Sequence, residues 1–286
     1  MKWTHIVVGV LTRAVAIGAA LMLSVPVTGQ TPWQPPRTPD GQPDMQGYWQ
    51  HTAVGAARSI EGDHARWKGE YGIITAGNPN TVRPAIIIDP PDGKIPYQPW
   101  AAAKLVEFRA NADSPTKREH IDPFTRGVPV GVPRVNHMPG EMQILQAPGY
   151  VVMTFENNGQ YRIIPLDRPH VGKDIQLYVG DSRGHWEGNT LIVDVTNQNG
   201  RTWFDFLSFV GEGLHVVERW TLVGPDRIDF RATLTDPAMF TQPWTLAYSF
   251  NRNKESIEIW EELYIEAERD VEHILQGGGL AGRRKE

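Results

Sequence analysis

Two glutamates interrupt faces that strand alternation would otherwise make apolar. If residues 214–223 form a strand, Leu214, Val216, Glu218, Trp220 and Leu222 share one face, and His215, Val217, Arg219, Thr221 and Val223 the other. If residues 256–265 form another, Glu261 sits among Ile257, Ile259, Leu263 and Ile265. A carboxylate turned into an apolar interior must be paired, hydrogen-bonded or protonated. Protonated, it is a candidate general acid or base. Paired with an arginine such as Arg134 or Arg162, it fixes packing and does no chemistry. A one-residue slip in register would reverse both faces.

Histidine supplies the next candidates. His215 and Glu218 have the spacing of half a metal motif, but on a strand they point to opposite faces. His185 and Glu187 are two apart and share a face, flanking Trp186 before the Gly188-Asn189 turn signal. No His-Glu-x-x-His motif or other tight ligand cluster occurs. A metal site would need His170, His185, His215 and a carboxylate to be assembled by the fold, so the expected site contains no metal. Gly180-Asp181-Ser182-Arg183-Gly184 matches the Gly-x-Ser-x-Gly spacing. The strand–elbow–helix context of that motif does not follow, and the segment reads instead as a structured turn with an Asp–Arg pair. Neither a Walker loop nor a dinucleotide fingerprint is present, and no cofactor is expected. Trp186, Trp220 and Trp260 are large rings able to pack a β core or line a barrel mouth, where a flat apolar ligand or a sugar ring would bind.

Those residues need elements to hold them. The chain has 286 residues, 28 Lys+Arg against 33 Asp+Glu, a net charge of −5, and 40% hydrophobic residues including ten tryptophans, enough for a full globular core. The absence of cysteine excludes disulfide scaffolds, thiol enzymes, zinc ribbons and iron–sulfur proteins. The mild acidic balance argues against nucleic acid as a partner. Residues 1–29 read as a secretory signal: Lys2 and Arg13 precede an apolar stretch of about ten residues, too short to span a bilayer. A periplasmic or secreted protein with no retained membrane span is expected.

Residues 30–140 read as a Pro-rich extended segment with one helix near residues 99–112 and a long ordered loop over residues 122–139. Residues 141–286 change character. Strands are expected at 142–146, 150–156, 161–166, 190–196, 214–223, 227–235, 244–250 and 256–265, separated by turn signals such as Asn158-Gly159 and Gly224-Pro225. Such spacing with almost no helix predicts an all-β antiparallel barrel of lipocalin-like type, wrapped by the Pro-rich half.

Several segments together carry a resemblance: Pro43-Asp44-Met45-Gln46-Gly47-Tyr48-Trp49, Gly131-Val132-Pro133-Arg134, Arg162-Ile163-Ile164-Pro165-Leu166-Asp167, and above all the run Gly180-Asp181-Ser182-Arg183-Gly184-His185-Trp186-Glu187-Gly188-Asn189-Thr190-Leu191. Over most of its length after residue 29 the chain resembles an uncharacterised family of secreted bacterial proteins found in acidobacteria and proteobacteria. The resemblance implies export and assigns no catalytic residue. Members of that family carry a Cys-His-Glu-Gly-Asn run near the carboxyl end, where this chain has Ile265-Glu266-Ala267-Glu268-Arg269.

The reading that follows is an exported enzyme of lyase, isomerase or hydrolase type, acting on a small aromatic or sugar-like molecule inside the barrel. Glu218 and Glu261 would carry acid/base chemistry, with His215 or His185 beside them; Arg134, Arg162, Trp186, Trp220 and Trp260 would bind the substrate. The alternative is a non-catalytic lipocalin-like carrier of an apolar or sugar ligand.

Overall fold

The computed structural model describes residues 33–62, 84–112, 114–262 and 270–278. The expected signal at 1–29 lies outside the described residues, as do positions 263–265 of the last expected strand. Ten strands form: β1 (Gly47–His51), β2 (Ile87–Asp89), β3 (Met142–Ala147), β4 (Tyr150–Phe155), β5 (Tyr161–Pro165), β6 (Asp181–Glu187), β7 (Thr190–Thr196), β8 (His215–Gly224), β9 (Arg227–Thr235) and β10 (Trp244–Arg252). One helix of several turns, α1 (Pro99–Ala110), packs Ala101, Leu105 and Phe108 inward, with Phe108 stacked on Trp203 at 5.1 Å between ring centres. No helix among the described residues is long and apolar enough to cross a membrane.

The strands run in the order β5-β4-β3-β1-β10-β9-β8-β7-β6, each antiparallel to its neighbour, with β2 added against β10. Nine strands alternating in direction bring the first and last together in parallel, so the two ends cannot zip up as an antiparallel pair. They meet instead through a parallel bridge between Leu166 and Gly184, where the Asp167 amide donates to the Gly184 carbonyl at 2.8 Å. A Cβ at Gly184 would lie 2.8 Å from Leu166 Cδ2 and 2.9 Å from Ile164 Cγ2, so only glycine lets the two ends approach. The result is a nearly closed all-β barrel, consistent with the lipocalin-like type.

Alternation decides what fills it. On β9, Ile228, Phe230, Ala232 and Leu234 are buried while Arg227, Arg231 and Thr233 face water. On β8, Val216, Glu218, Trp220 and Leu222 point inward, as the spacing predicts. Trp220 stacks on Phe250 at 5.0 Å and packs on Phe230 at 4.5 Å, and Phe230 meets Tyr248 at 4.9 Å, so rings from three adjacent strands occupy the interior. Asn158 and Gly159 both take φ of 55°, reversing the chain between β4 and β5 at the expected turn.

Two expectations are corrected. Residues 256–262 form no strand, and Ile257 (84% exposed) and Trp260 (72%) stand in solvent. The reason is the lack of a free edge: β10, the strand such a segment would fold back on, already pairs with β9 on one side and with β1 on the other. The seat is taken by Gly47–His51, from the Pro-rich half, which pairs Trp49 with Met142 of β3 and His51 with Phe250 of β10. The segment Asp181–Glu187 is a strand rather than a turn, although the Asp181–Arg183 pair within it is present at 2.8 Å.

Candidate functional site

Glu218 is fully buried on the inner face of β8, and among the described residues its hydrogen-bond partners are donors. Arg162 of β5 grips it with both terminal nitrogens, Nη2 to Oε2 at 2.8 Å and Nη1 to Oε1 at 3.2 Å. Asn136 Nδ2 donates to Oε1 at 2.6 Å, and Trp220 Nε1 lies 3.4 Å from Oε2. Arg162 in turn donates to Asn136 Oδ1 (3.0 Å) and Ser182 Oγ (3.1 Å). This carboxylate is satisfied on both oxygens by a two-pronged guanidinium, the strongest neutralisation a protein offers. It is a structural clamp across the barrel between β8 and β5, and no lone pair is left to take a proton from a substrate.

The other residues singled out from the sequence separate. Glu261 is exposed and outside any strand, so it does not pair with Glu218 in the interior; it has no apolar face to be buried by. Trp260 is exposed beside it. His185 lies on the outer face of β6, half-exposed, 3.4 Å from Glu187. His215 also points outward, its Nε2 2.9 Å from Asp194 Oδ1, since alternation sets it opposite Glu218. Arg134 is buried but holds Asp122 through two bonds of 2.8 and 2.7 Å, and so does not reach Glu218. Trp220 is interior packing, and Trp186 is partly buried at the inner face of β6.

A different set of polar groups meets inside. The short 3₁₀ turn Arg134–His137 carries four buried side chains. His137 Nε2 lies 3.1 Å from the Phe204 carbonyl, and His51 Nε2, at the end of β1, lies 2.9 Å from the Met138 carbonyl. A carbonyl only accepts, so each Nε2 carries the hydrogen and each Nδ1 of the neutral ring presents a lone pair. Both Nδ1 atoms are shielded from solvent and have no partner among the described residues, and the same holds for the hydroxyl of Tyr248. The three rings are neighbours: His51 and His137 each meet Tyr248 edge-on, at 6.2 and 6.0 Å between centres.

Burial sets their protonation. It lowers the pKa of His51, against the opposing bond to Met138. It brings His137 down to about 3, with the nearby His51 and Arg134 adding to the effect and the Phe204 bond opposing it. Burial, reinforced by the Glu218 carboxylate and opposed by Arg162, pushes the Tyr248 phenol well up. At neutral pH the cluster is therefore two uncharged acceptors and one protonated donor. His51 and Asn136 also line a cleft with Trp49, Met138, Glu141 and Phe155, whose volume of about 10 Å³ is the room of one water molecule.

Sequence reading missed His51, His137 and Tyr248. Two signals were available: His51 shares the alternation face of Gly47 and Trp49, and Tyr248 that of Trp244, Leu246 and Phe250. No periodicity marks His137, which stands in an irregular loop.

The chain matches no protein-family model, no curated protein and no solved structure with which it was compared.

Proposed function

We propose that the chain is an enzyme carrying out proton transfer on a small organic molecule at the His51–His137–Tyr248 cluster, in a reaction of lyase, isomerase or hydrolase type, with the one-water cleft lined by His51 widening to admit the substrate. The observation that carries this reading is that three neighbouring rings, one of them lining a cleft, each hold a shielded polar atom without a partner among the described residues. A buried polar group left unpaired costs about 1–3 kcal/mol, and three in one place oppose folding unless a ligand completes them. His51, which lines the cleft, would act as the base through Nδ1; Tyr248, held protonated, would donate to a developing oxyanion. His137, uncharged at all but acidic pH, would accept a hydrogen bond and orient the substrate. Glu218 and Arg162 hold Asn136 and the turn that carries His137.

Export to the periplasm or medium belongs to the same reading, supported by the signal-like residues 1–29 and the family resemblance. The carrier alternative rests on the barrel fold alone.

The test is proton NMR in deuterium oxide of the chain lacking residues 1–29 with a panel of small enolisable ketones, lactones and phenolic esters. Turnover or solvent-deuterium incorporation with at least one compound is expected, falling at least 100-fold in Tyr248→Phe and His51→Gln while circular dichroism is unchanged. No reaction with any of the panel, or a reaction indifferent to both substitutions, overturns the proposal.

A further inference from the structure

We infer that the outer face of β6–β8 carries a binding site for a divalent transition-metal ion, with His170, Asp194 and His215 as ligands and Asp181 behind them. The site is separate from the interior cluster and does not rest on the function proposed for it.

Two imidazole nitrogens converge on one carboxylate oxygen. Asp194 Oδ1, on the outer face of β7, lies 2.9 Å from Nε2 of His215 at the start of β8 and 3.2 Å from Nε2 of His170 in the β5–β6 connection. The other nitrogen of His170 is already engaged: Nδ1 lies 2.7 Å from Asp181 Oδ2 and 3.2 Å from Thr196 Oγ1. Asp181 is itself fixed by Arg183 at 2.8 Å and by the Val171 amide at 3.0 Å. A carboxylate only accepts, so Nδ1–H of His170 points at Asp181, and Nε2 is the nitrogen turned toward Asp194. Carboxylate behind imidazole, imidazole toward metal, is the arrangement that orients and strengthens histidine ligands.

The donor set selects the ion. Two imidazoles and one carboxylate suit zinc or copper rather than magnesium or calcium, which prefer all-oxygen sites. All three side chains are partly exposed, so an ion enters from solvent, keeps water in its remaining positions, and is reached by rotation of the Asp194 and His215 side chains to the ~2.0–2.2 Å that zinc requires. Among the described residues only Glu107, Glu119 and His120 already bring three ligand atoms within 4.8 Å of one another, so His170 and His215 must swing closer to share an ion. At the Glu107 cluster, however, the Lys117 ammonium lies 4.0 and 3.6 Å from the two carboxylates and already supplies the positive charge.

The experiment is calorimetric titration of zinc chloride into the chelator-treated chain, with copper(II) electron paramagnetic resonance on the same samples. One equivalent is expected to bind, with affinity falling at least tenfold in His170→Ala and in His215→Ala. Asp181→Asn, which removes no ligand, should cost about 10–100-fold, and His185→Ala, on the same sheet outside the cluster, should change nothing. The copper spectrum of the unaltered chain should show coupling to two imidazole nitrogens, a readout independent of any variant's folding. Absence of zinc binding, binding undiminished in both histidine variants, or a copper spectrum without two nitrogen ligands overturns the inference.

Discussion

Arg162 and Glu218 face each other across the inside of the barrel, joined by two hydrogen bonds of 2.8 and 3.2 Å and closed off from water. The pair ties β5, at one end of the sheet, to β8, the third strand counted from the other end, so it spans the place where the barrel closes. Its role is therefore read most clearly in stability.

Glu218→Ala leaves the guanidinium of Arg162 buried without its anion. A loss of about 3–5 kcal/mol in unfolding free energy is expected, measured by urea denaturation. The double replacement Arg162→Met with Glu218→Leu should lose less than Glu218→Ala alone, because no orphaned charge remains.

Tyr248→Phe separates site from scaffold. Removing a buried hydroxyl without a partner should leave stability unchanged or raise it by about 1 kcal/mol, while abolishing the proposed proton transfer. A melting temperature that falls together with activity would mean that the hydroxyl is structural.

Stability should fall on acidification. The folded-state pKa values of His51 and His137 lie below the ordinary value of 6.5, that of His137 at about 3. Below pH 6.5 the unfolded chain therefore binds protons that the folded chain refuses. The contribution is complete above that pH and is lost progressively down to about pH 3, at roughly 1.4 kcal/mol per pH unit for His137 alone. His137→Gln, able to keep the bond to the Phe204 carbonyl, should flatten the measured pH slope between 6 and 4.

Gly184→Ala drives a methyl group against Leu166 and Ile164 where β5 and β6 meet. A cost of about 1–3 kcal/mol is expected. Glu261→Gln and Trp260→Ala, both in solvent, should each stay within about 0.5 kcal/mol of the parent.

The barrel was legible where alternation was long and unambiguous. Nine residues of β9 and ten of β8 settle which way Phe230 and Glu218 point. Alternation says nothing about what a side chain meets, so it could not distinguish a clamped Glu218 from a catalytic one; that depended on Arg162 and Asn136, brought in from other parts of the chain. Alternation alone puts Glu261 on a buried face, but β10 pairs with β9 and β1 and has no edge left for such a strand. His51 escaped because β1 is five residues long in a Pro-rich region, with partners about a hundred and two hundred positions away. His137 is positioned by a loop, where sequence period carries no signal at all.

The central claim is that two neutral imidazoles, packed edge-on against Tyr248, leave their Nδ1 lone pairs without a partner among the described residues. Long-range nitrogen–proton NMR of the histidine rings, followed from neutral to acidic pH, reads this directly. The account expects His51 and His137 as neutral Nε2–H tautomers at pH 7, both titrating below 6.5 and His137 at about 3. An Nδ1–H tautomer or an imidazolium at either position at pH 7 would remove the acceptor and contradict it.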